Sequence, residues 1–93
     1  MNSVDFRLII KKIVEPSLLT ERIGELYVTA YDQPYAYTKV TKTIGGMHNK
    51  IIESRWHEDK WDFMRERIDK TTPNHITTAI GTFSSLLSIW FIC

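Results

Sequence analysis

The sequence predicts a small all-α domain, built as a bundle of four or five short helices. Apolar residues recur at helical spacing in several segments, and each of the three prolines follows a polar residue and precedes such a segment. At 93 residues, the chain 1–93 is expected to form one small domain. The alternative is an α+β domain with N-terminal helices, a three-stranded antiparallel meander over about 26–56, and two C-terminal helices.

The first two segments are predicted as helices. Residues 3–14 place an apolar set on an arc of about 140°: Phe6, Ile9, Ile10, Ile13 and Val14. Residues 16–31 carry a narrower apolar stripe: Leu19, Ile23, Leu26, Tyr27 and Ala30. Pro16 opens the second segment and Pro34 follows its end, as expected for helix boundaries.

The third segment, 35–54, fits two structures. By residue propensity, 35–41 is a strand, and Gly45 and Gly46 form a two-residue hairpin turn. By periodicity, the segment is a helix whose apolar residues step by three and four: Tyr37, Val40, Ile44, Met47 and Ile51. The stripe keeps its phase through both glycines, which favours the helix.

The fourth segment, 55–70, is predicted as a helix because Trp61, Met64 and Ile68 form a stripe. Its first turn carries acidic residues and its last turn ends in Lys70, as the helix dipole favours. A fifth helix is expected to start with Thr72 as N-cap and Pro73 at its first position.

The C-terminal segment, 74–93, is predicted as an uncharged apolar helix, since 75–93 contains no Asp, Glu, Lys or Arg. It fits the centre of the bundle, or a homo-oligomer interface where small residues let backbones approach closely. It also fits a tail-anchored membrane span over 76–93, because about 20 apolar residues cross a bilayer. The residues assigned to the packing face are Thr77, Gly81, Phe83, Ser85 and Trp90.

Composition excludes several classes of protein. The net charge is +1, so the whole chain has no general attraction to nucleic acid or to anionic lipid. Its one cysteine, Cys93, excludes an internal disulfide framework and a multi-cysteine zinc site. The first residues show no signal peptide, so a cytoplasmic location is predicted, with membrane anchoring by the C-terminus as the alternative.

No arrangement of reactive residues predicts catalysis. Glu53 and His57 are four residues apart, but with Glu58 or Asp62 they match no strong metal-binding motif. Cys93 has no positioned base beside it in the sequence. We therefore predict no catalytic residue, no metal and no cofactor.

One segment combines aromatic and basic residues. Its candidate interaction residues are Tyr31, Tyr35, Tyr37, Lys39 and Lys42. Tyrosines anchor protein interfaces, and tyrosines beside lysines also stack bases and contact phosphates. The main prediction is a non-enzymatic protein-interaction module that self-associates, such as a small inhibitor or adaptor of the kind made by phages. The alternatives are a single-span membrane subunit and a nucleic-acid or nucleotide-binding protein.

Overall fold

The computed structural model describes residues 3–13 and 21–81, which form an antiparallel β-sheet rather than a helical bundle. Its strands are β1 (Ser3–Ile13), β2 (Glu21–Tyr27), β3 (Ala36–Lys39), β4 (Ile51–His57) and β5 (Lys60–Glu66). Within the described residues, 76–81 are helical, and we call this segment α1. The all-α prediction is therefore wrong, and so is the N-terminal helical part of its α+β alternative.

The sheet has the strand order β3-β2-β1-β4-β5, with β1 at its centre. Every pair of neighbouring strands is antiparallel. The two edge strands, β3 and β5, also approach each other, so the sheet curls until its edges nearly meet. The result is a small, partly open β-barrel of the OB-like kind. We call the line where β3 faces β5 the seam.

The barrel interior explains the strand structure of 3–13. Val4, Phe6 and Leu8 alternate along β1 and are fully buried, as expected for one face of a strand. They pack with Leu26, Val28, Ile44, Ile52, Trp61 and Ala79 in one core. Ile9 and Ile10 are only half-buried. Because apolar residues lie on both faces of β1, they also fill a helical arc, and this misled the sequence prediction.

Gly24 lets three strands approach closely. A Cβ atom there would lie 2.8 Å from Thr38 Cγ2 on β3 and 2.9 Å from Leu8 Cδ1 on β1. The absence of a side chain is thus required for packing inside the barrel. Gly45 and Gly46, in contrast, lie in a run of turns between β3 and β4 and do not form a two-residue hairpin.

The predicted helix over 55–70 is instead the hairpin β4–β5. Its two-residue turn is Glu58 and Asp59, both with positive φ (51° and 63°), in the conformation that short hairpins prefer. At the other end of the hairpin, the partner of Glu53 is Arg65 and that of Ser54 is Phe63. Met64 is therefore an extra residue on β5, a β-bulge that turns the end of the strand.

The fifth predicted helix starts later than expected, and its predicted course beyond 81 lies outside the described residues. Thr72 does not cap it; instead His75 Nδ1 accepts a hydrogen bond from the Thr77 amide at 3.2 Å, at the first turn of α1. Thr77 and Gly81 are exposed, while the predicted packing residues Phe83, Ser85 and Trp90 lie outside the described residues. No helix within the described ranges has both the length and the apolar character that a bilayer crossing demands.

Candidate functional site

Two cations converge on one buried carboxylate where the chain leaves β5. Arg67 Nη1 lies 3.1 Å and Lys70 Nζ 2.5 Å from Asp5 Oδ2. The Asp5 side chain is only 8% exposed, whereas those of Arg67 and Lys70 are 22% and 28% exposed. A buried carboxylate thus fixes two cations whose outer sides reach solvent. We call Arg67 and Lys70 the cation pair.

The turn that carries the cation pair is fastened to the barrel beyond those ion pairs. The Asp5 amide donates to Asn74 Oδ1 at 2.7 Å, and the Asn74 amide donates to the Asp5 carbonyl at 2.9 Å. Thr29, just after β2, donates through its amide to the Asn74 carbonyl at 2.8 Å. Arg7 Nη2 donates to the Thr71 carbonyl at 2.9 Å. Segment 67–75, which we call the anchored turn, is therefore tied to β1 and to the end of β2.

A second ion pair lies beside the first on the same face of the sheet. Glu53 is the β4 partner of Asp5. Its carboxylate accepts hydrogen bonds from Ser3 Oγ and Arg65 Nε, both at 2.7 Å. The Ser3 hydrogen bond, and next the Arg65 hydrogen bond, lower the pKa of Glu53 below its ordinary value. Glu53 is therefore a carboxylate at neutral pH and holds Arg65 near the cation pair.

The cation pair keeps donors for a ligand. An arginine side chain has five N–H donors and a lysine three. Arg67 uses Nη1 for Asp5 and Nε for Asp69, at 3.4 Å, and its Nη2 has no hydrogen-bond partner among the described residues. Ile68, between these residues, is 86% exposed at the tip of the anchored turn. Chemically, the arrangement is a fixed guanidinium and ammonium that can bind an anion such as phosphate.

The predicted tyrosine-rich segment lies elsewhere, at the start of β3 and along it. Tyr37 and Lys39 both face outward and are exposed. Tyr35 is half-buried, with its ring 6.1 Å from that of Phe6 and 6.5 Å from that of Tyr31. Burial raises the pKa of Tyr35. Lys42 is exposed in the following turns. The structure thus brings Tyr37 and Lys39 together on one surface and leaves Lys42 beyond the end of the strand.

The hypothetical metal ligands do not come together. Glu53 is occupied by Ser3 and Arg65, while His57 lies at the far end of β4, beside Glu58. Across the part of the chain that the structure describes, no group of three or more potential ligands has the geometry to hold a metal ion.

The cation pair is not among the site residues that the sequence predicts. Lys70 is predicted in the last turn of a helix, whereas it lies in the anchored turn and pairs with a residue 65 positions away. The available signal was local, because a cluster of cations, Arg65, Arg67 and Lys70, comes shortly before Thr72 and Pro73. A proline after such a polar run is typical of a turn. The partner, Asp5, gave no signal, because the pairing depends on the sheet.

Comparison with known proteins covers nearly all of the chain. Residues 1–88 match the family model described as "mRNA capping enzyme, C-terminal domain". The mRNA-capping enzyme of Mus musculus is 45% identical over 92% of this chain, and that of Danio rerio is 45% identical over 91%. The mRNA-capping enzyme of Caenorhabditis elegans is 38% identical over 94% of it. The chain spans only 14–15% of the length of these curated relatives.

These relatives overturn the main functional prediction. They are enzymes from animals, and the matching family is named for a domain of that enzyme, so the predicted non-enzymatic inhibitor or adaptor made by a phage is wrong. The comparisons give no support to a homo-oligomer. They favour the alternative of a nucleic-acid or nucleotide-binding protein.

Proposed function

This chain belongs to the family of mRNA capping enzyme C-terminal domains, and we propose that it serves as the phosphate-binding C-terminal part of an mRNA-capping enzyme. Its ligand is the nucleotide or mRNA on which such an enzyme acts. The observation that carries this proposal is the cation pair, because Asp5 fixes Arg67 and Lys70 side by side while both remain partly exposed.

Fixing the two cations in advance favours anion binding. A free arginine or lysine side chain loses conformational entropy when a ligand immobilises it, at about 0.5–1.5 kcal/mol for each side chain. Asp5 and Asp69 already restrain Arg67, and Asp5 restrains Lys70, so part of this cost is met during folding. The planar guanidinium fits two phosphate oxygens at once, and the ammonium supplies a second positive charge beside it.

The exposed position of the anchored turn suits a domain that acts with the rest of a larger enzyme. Ile68, at the tip of the anchored turn, is 86% exposed and lies between Arg67 and Lys70 in the sequence. The relatives are about seven times longer than this chain, so most of their length has no counterpart in it.

A nucleotide titration tests the proposal. The 93-residue chain is titrated with GTP and with inorganic triphosphate at low salt, and backbone amide shifts are followed by NMR. We expect shifts in the anchored turn, and a loss of affinity of about 10-fold or more in Arg67→Gln and in Lys70→Gln, because each removes a charged hydrogen bond of about 1.5–3 kcal/mol. Arg67→Lys should restore part of the affinity, since it keeps the charge but not the fork.

The matched control is Arg55→Gln, which removes an exposed arginine on β4 outside the anchored turn. If Arg55→Gln weakens binding as much as Arg67→Gln, the attraction is nonspecific and the proposal is wrong. Amide shifts confined to the strands, with none in the anchored turn, would also contradict the proposal.

A further inference from the structure

The β3 strand forms a ridge with a recess on each side. One recess, of about 350 Å³, lies toward β2 and is lined by Arg22, Ile23 and other residues. The other, of about 290 Å³, lies across the seam and is lined by β5 residues including Lys60 and Trp61. Both recesses share Tyr37, Thr38 and Lys39, which we call the β3 ridge. A ligand lying over the ridge would therefore contact both recesses at once.

The seam continues into an aromatic recess. Tyr35, Ala36, Trp56 and Trp61 line a third cavity of about 370 Å³. The two tryptophan rings meet edge to face at 5.4 Å. Because Trp61 also lines the recess beside the β3 ridge, the two cavities adjoin. Aromatic surface thus extends from the exposed Tyr37, which is 57% exposed, to the wall of the third cavity.

The charges around the β3 ridge favour an anionic strand. The two recesses beside it are bordered by Arg22, Lys39 and Lys60, against Glu21 and Asp62. The Lys60–Asp62 contact is long, at 3.8 Å, and both groups are substantially exposed, so it is weak and easily exchanged.

The acidic residue opposite Tyr37 on β2 is already paired. Glu25, the β2 partner of Tyr37, receives Lys11 Nζ at 3.2 Å and a hydrogen bond from Tyr27 Oη at 3.0 Å. The Glu25 hydrogen bond raises the pKa of Lys11, which therefore stays charged at neutral pH. The carboxylate of Glu25 thus repels a phosphate strand less than a free one would.

We propose that the β3 ridge and the seam bind single-stranded RNA, with a base stacked on Tyr37 and phosphates held by Arg22, Lys39 and Lys60. Such surfaces combine a positively charged groove with aromatic rings on which successive bases stack. The choice of RNA over another anionic strand rests on the proposed function. This site is distinct from the cation pair, because Lys60 begins β5 and Arg67 follows its end, roughly 20 Å apart along an extended strand.

RNA fits the surface better than a peptide does. A peptide added to the β3 edge would pair with its backbone, but β3 has only four residues, and short edge strands pair poorly with other chains. The ridge instead presents one exposed aromatic ring between cationic borders, as base stacking and phosphate neutralisation require.

The test uses a fluorescein-labelled RNA of about twelve uridines with a 5′-hydroxyl group, and fluorescence anisotropy with the full 93-residue chain at several salt concentrations. Three phosphate contacts predict a slope of log affinity against log salt of about −2. Lys39→Gln with Lys60→Gln should reduce the slope to about −0.7. Tyr37→Ala should weaken binding about 5- to 100-fold, whereas Tyr37→Phe, which keeps the ring, should bind as the unchanged chain does.

The control is Lys50→Gln, which removes an exposed lysine that lines neither recess beside the β3 ridge, and it is compared with Lys39→Gln alone. If that control reduces the salt slope as much as Lys39→Gln does, binding is a general charge effect and the proposal is wrong. Equal binding by Tyr37→Ala and the unchanged chain also overturns it, as does RNA binding too weak to measure at low salt.

Variants of the cation pair distinguish RNA binding at the β3 ridge from the phosphate binding of the proposed function. Arg67→Gln with Lys70→Gln should leave binding of the 5′-hydroxyl RNA within about twofold, since neither residue borders the β3 ridge. A large loss in this variant would assign the RNA to the anchored turn and contradict the ridge proposal. Loss of GTP binding alone would leave it intact.

Discussion

The anchored turn and the β3 ridge both present cations to solvent, but they hold them differently. In the anchored turn, Arg67 and Lys70 are each bonded to a buried carboxylate, and the backbone around them is tied to β1 and β2. On the β3 ridge, Lys39 is exposed and has no ion pair among the described residues, and Tyr37 is the most exposed ring in that part of the chain.

This difference corresponds to two kinds of recognition. Cations fixed in advance favour one compact anion in one position, because the geometry of their donors is set before binding. Mobile cations around an exposed ring tolerate a flexible strand whose bases and phosphates vary in position. The same small barrel therefore has a rigid anchored turn and an adaptable β3 ridge. We expect substitutions in the anchored turn to change the free energy of unfolding strongly, and substitutions on the β3 ridge to change RNA binding with little effect on stability.

The largest effect on stability is expected at Asp5. Asp5→Ala leaves two partly buried cations next to each other without their carboxylate, and we expect it to lower the free energy of unfolding by about 2–3 kcal/mol. Urea denaturation followed by circular dichroism measures this. Asp32→Ala, at an exposed bend, is the control and should change stability by less than about 0.5 kcal/mol. Equal effects of the two substitutions would mean that Asp5 does not organise the anchored turn.

A smaller loss is expected at Gly24, which supports the β3 ridge from below. The Cβ atom of Gly24→Ala would overlap Thr38 Cγ2 and Leu8 Cδ1, so β3 must shift outward. Overpacking of this kind costs about 1–3 kcal/mol. Gly46→Ala is the matched control, because a Cβ atom there meets nothing within 4 Å. If Gly24→Ala is as stable as Gly46→Ala, the close approach of β2 and β3 is not required.

Part of the fold was predictable from sequence, but the decisive part was not. Propensity alone indicated a strand at 35–41, and β3 lies there, although helical periodicity outweighed it. The β4–β5 hairpin gave no turn signal, because its positive-φ residues are Glu58 and Asp59 rather than the Asn-Gly or Asp-Gly that short hairpins favour. Without that turn, Trp61, Met64 and Ile68 resembled a helical stripe, although the three residues lie in a strand, a bulge and a turn.

The β3 ridge and the anchored turn also differ in how far local sequence could predict them. Tyr37 and Lys39 are two residues apart, so a local pattern was enough to identify them as candidates. Asp5, Arg67 and Lys70 are joined only when β1, β4 and β5 lie side by side, which no local pattern shows. Their proximity became visible from the sheet order, and the family of the chain from its relatives.

As the pH falls, we expect the sheet face beside the anchored turn to lose stabilising interactions before the β3 ridge does. Hydrogen bonds from Ser3 and Arg65 lower the pKa of Glu53 below the ordinary 4.5, so its contribution to stability is complete well above pH 4.5 and is lost as the pH falls through the lowered value. Glu53→Gln should therefore lose less stability between pH 6 and pH 3 than the unchanged chain, by thermal unfolding. The pKa of Asp69 is also lowered, by Arg67, but Asp69 is exposed to solvent, so Asp69→Asn should alter the profile less. The opposite order would remove Glu53 from the stabilising network.

The smallest change in stability is expected on the β3 ridge itself. This small change distinguishes the β3 ridge from the anchored turn most clearly. Tyr37 and Lys39 are exposed, so Tyr37→Ala and Lys39→Gln should each shift the free energy of unfolding by less than about 0.5 kcal/mol. An exposed aromatic ring that contributes no stability can still stack against a base. If Tyr37→Ala instead destabilises the chain as Gly24→Ala does, the ring supports the barrel. The effect of the ring on RNA binding would then be measured through Tyr37→Leu, which removes the aromatic ring but keeps much of its apolar bulk.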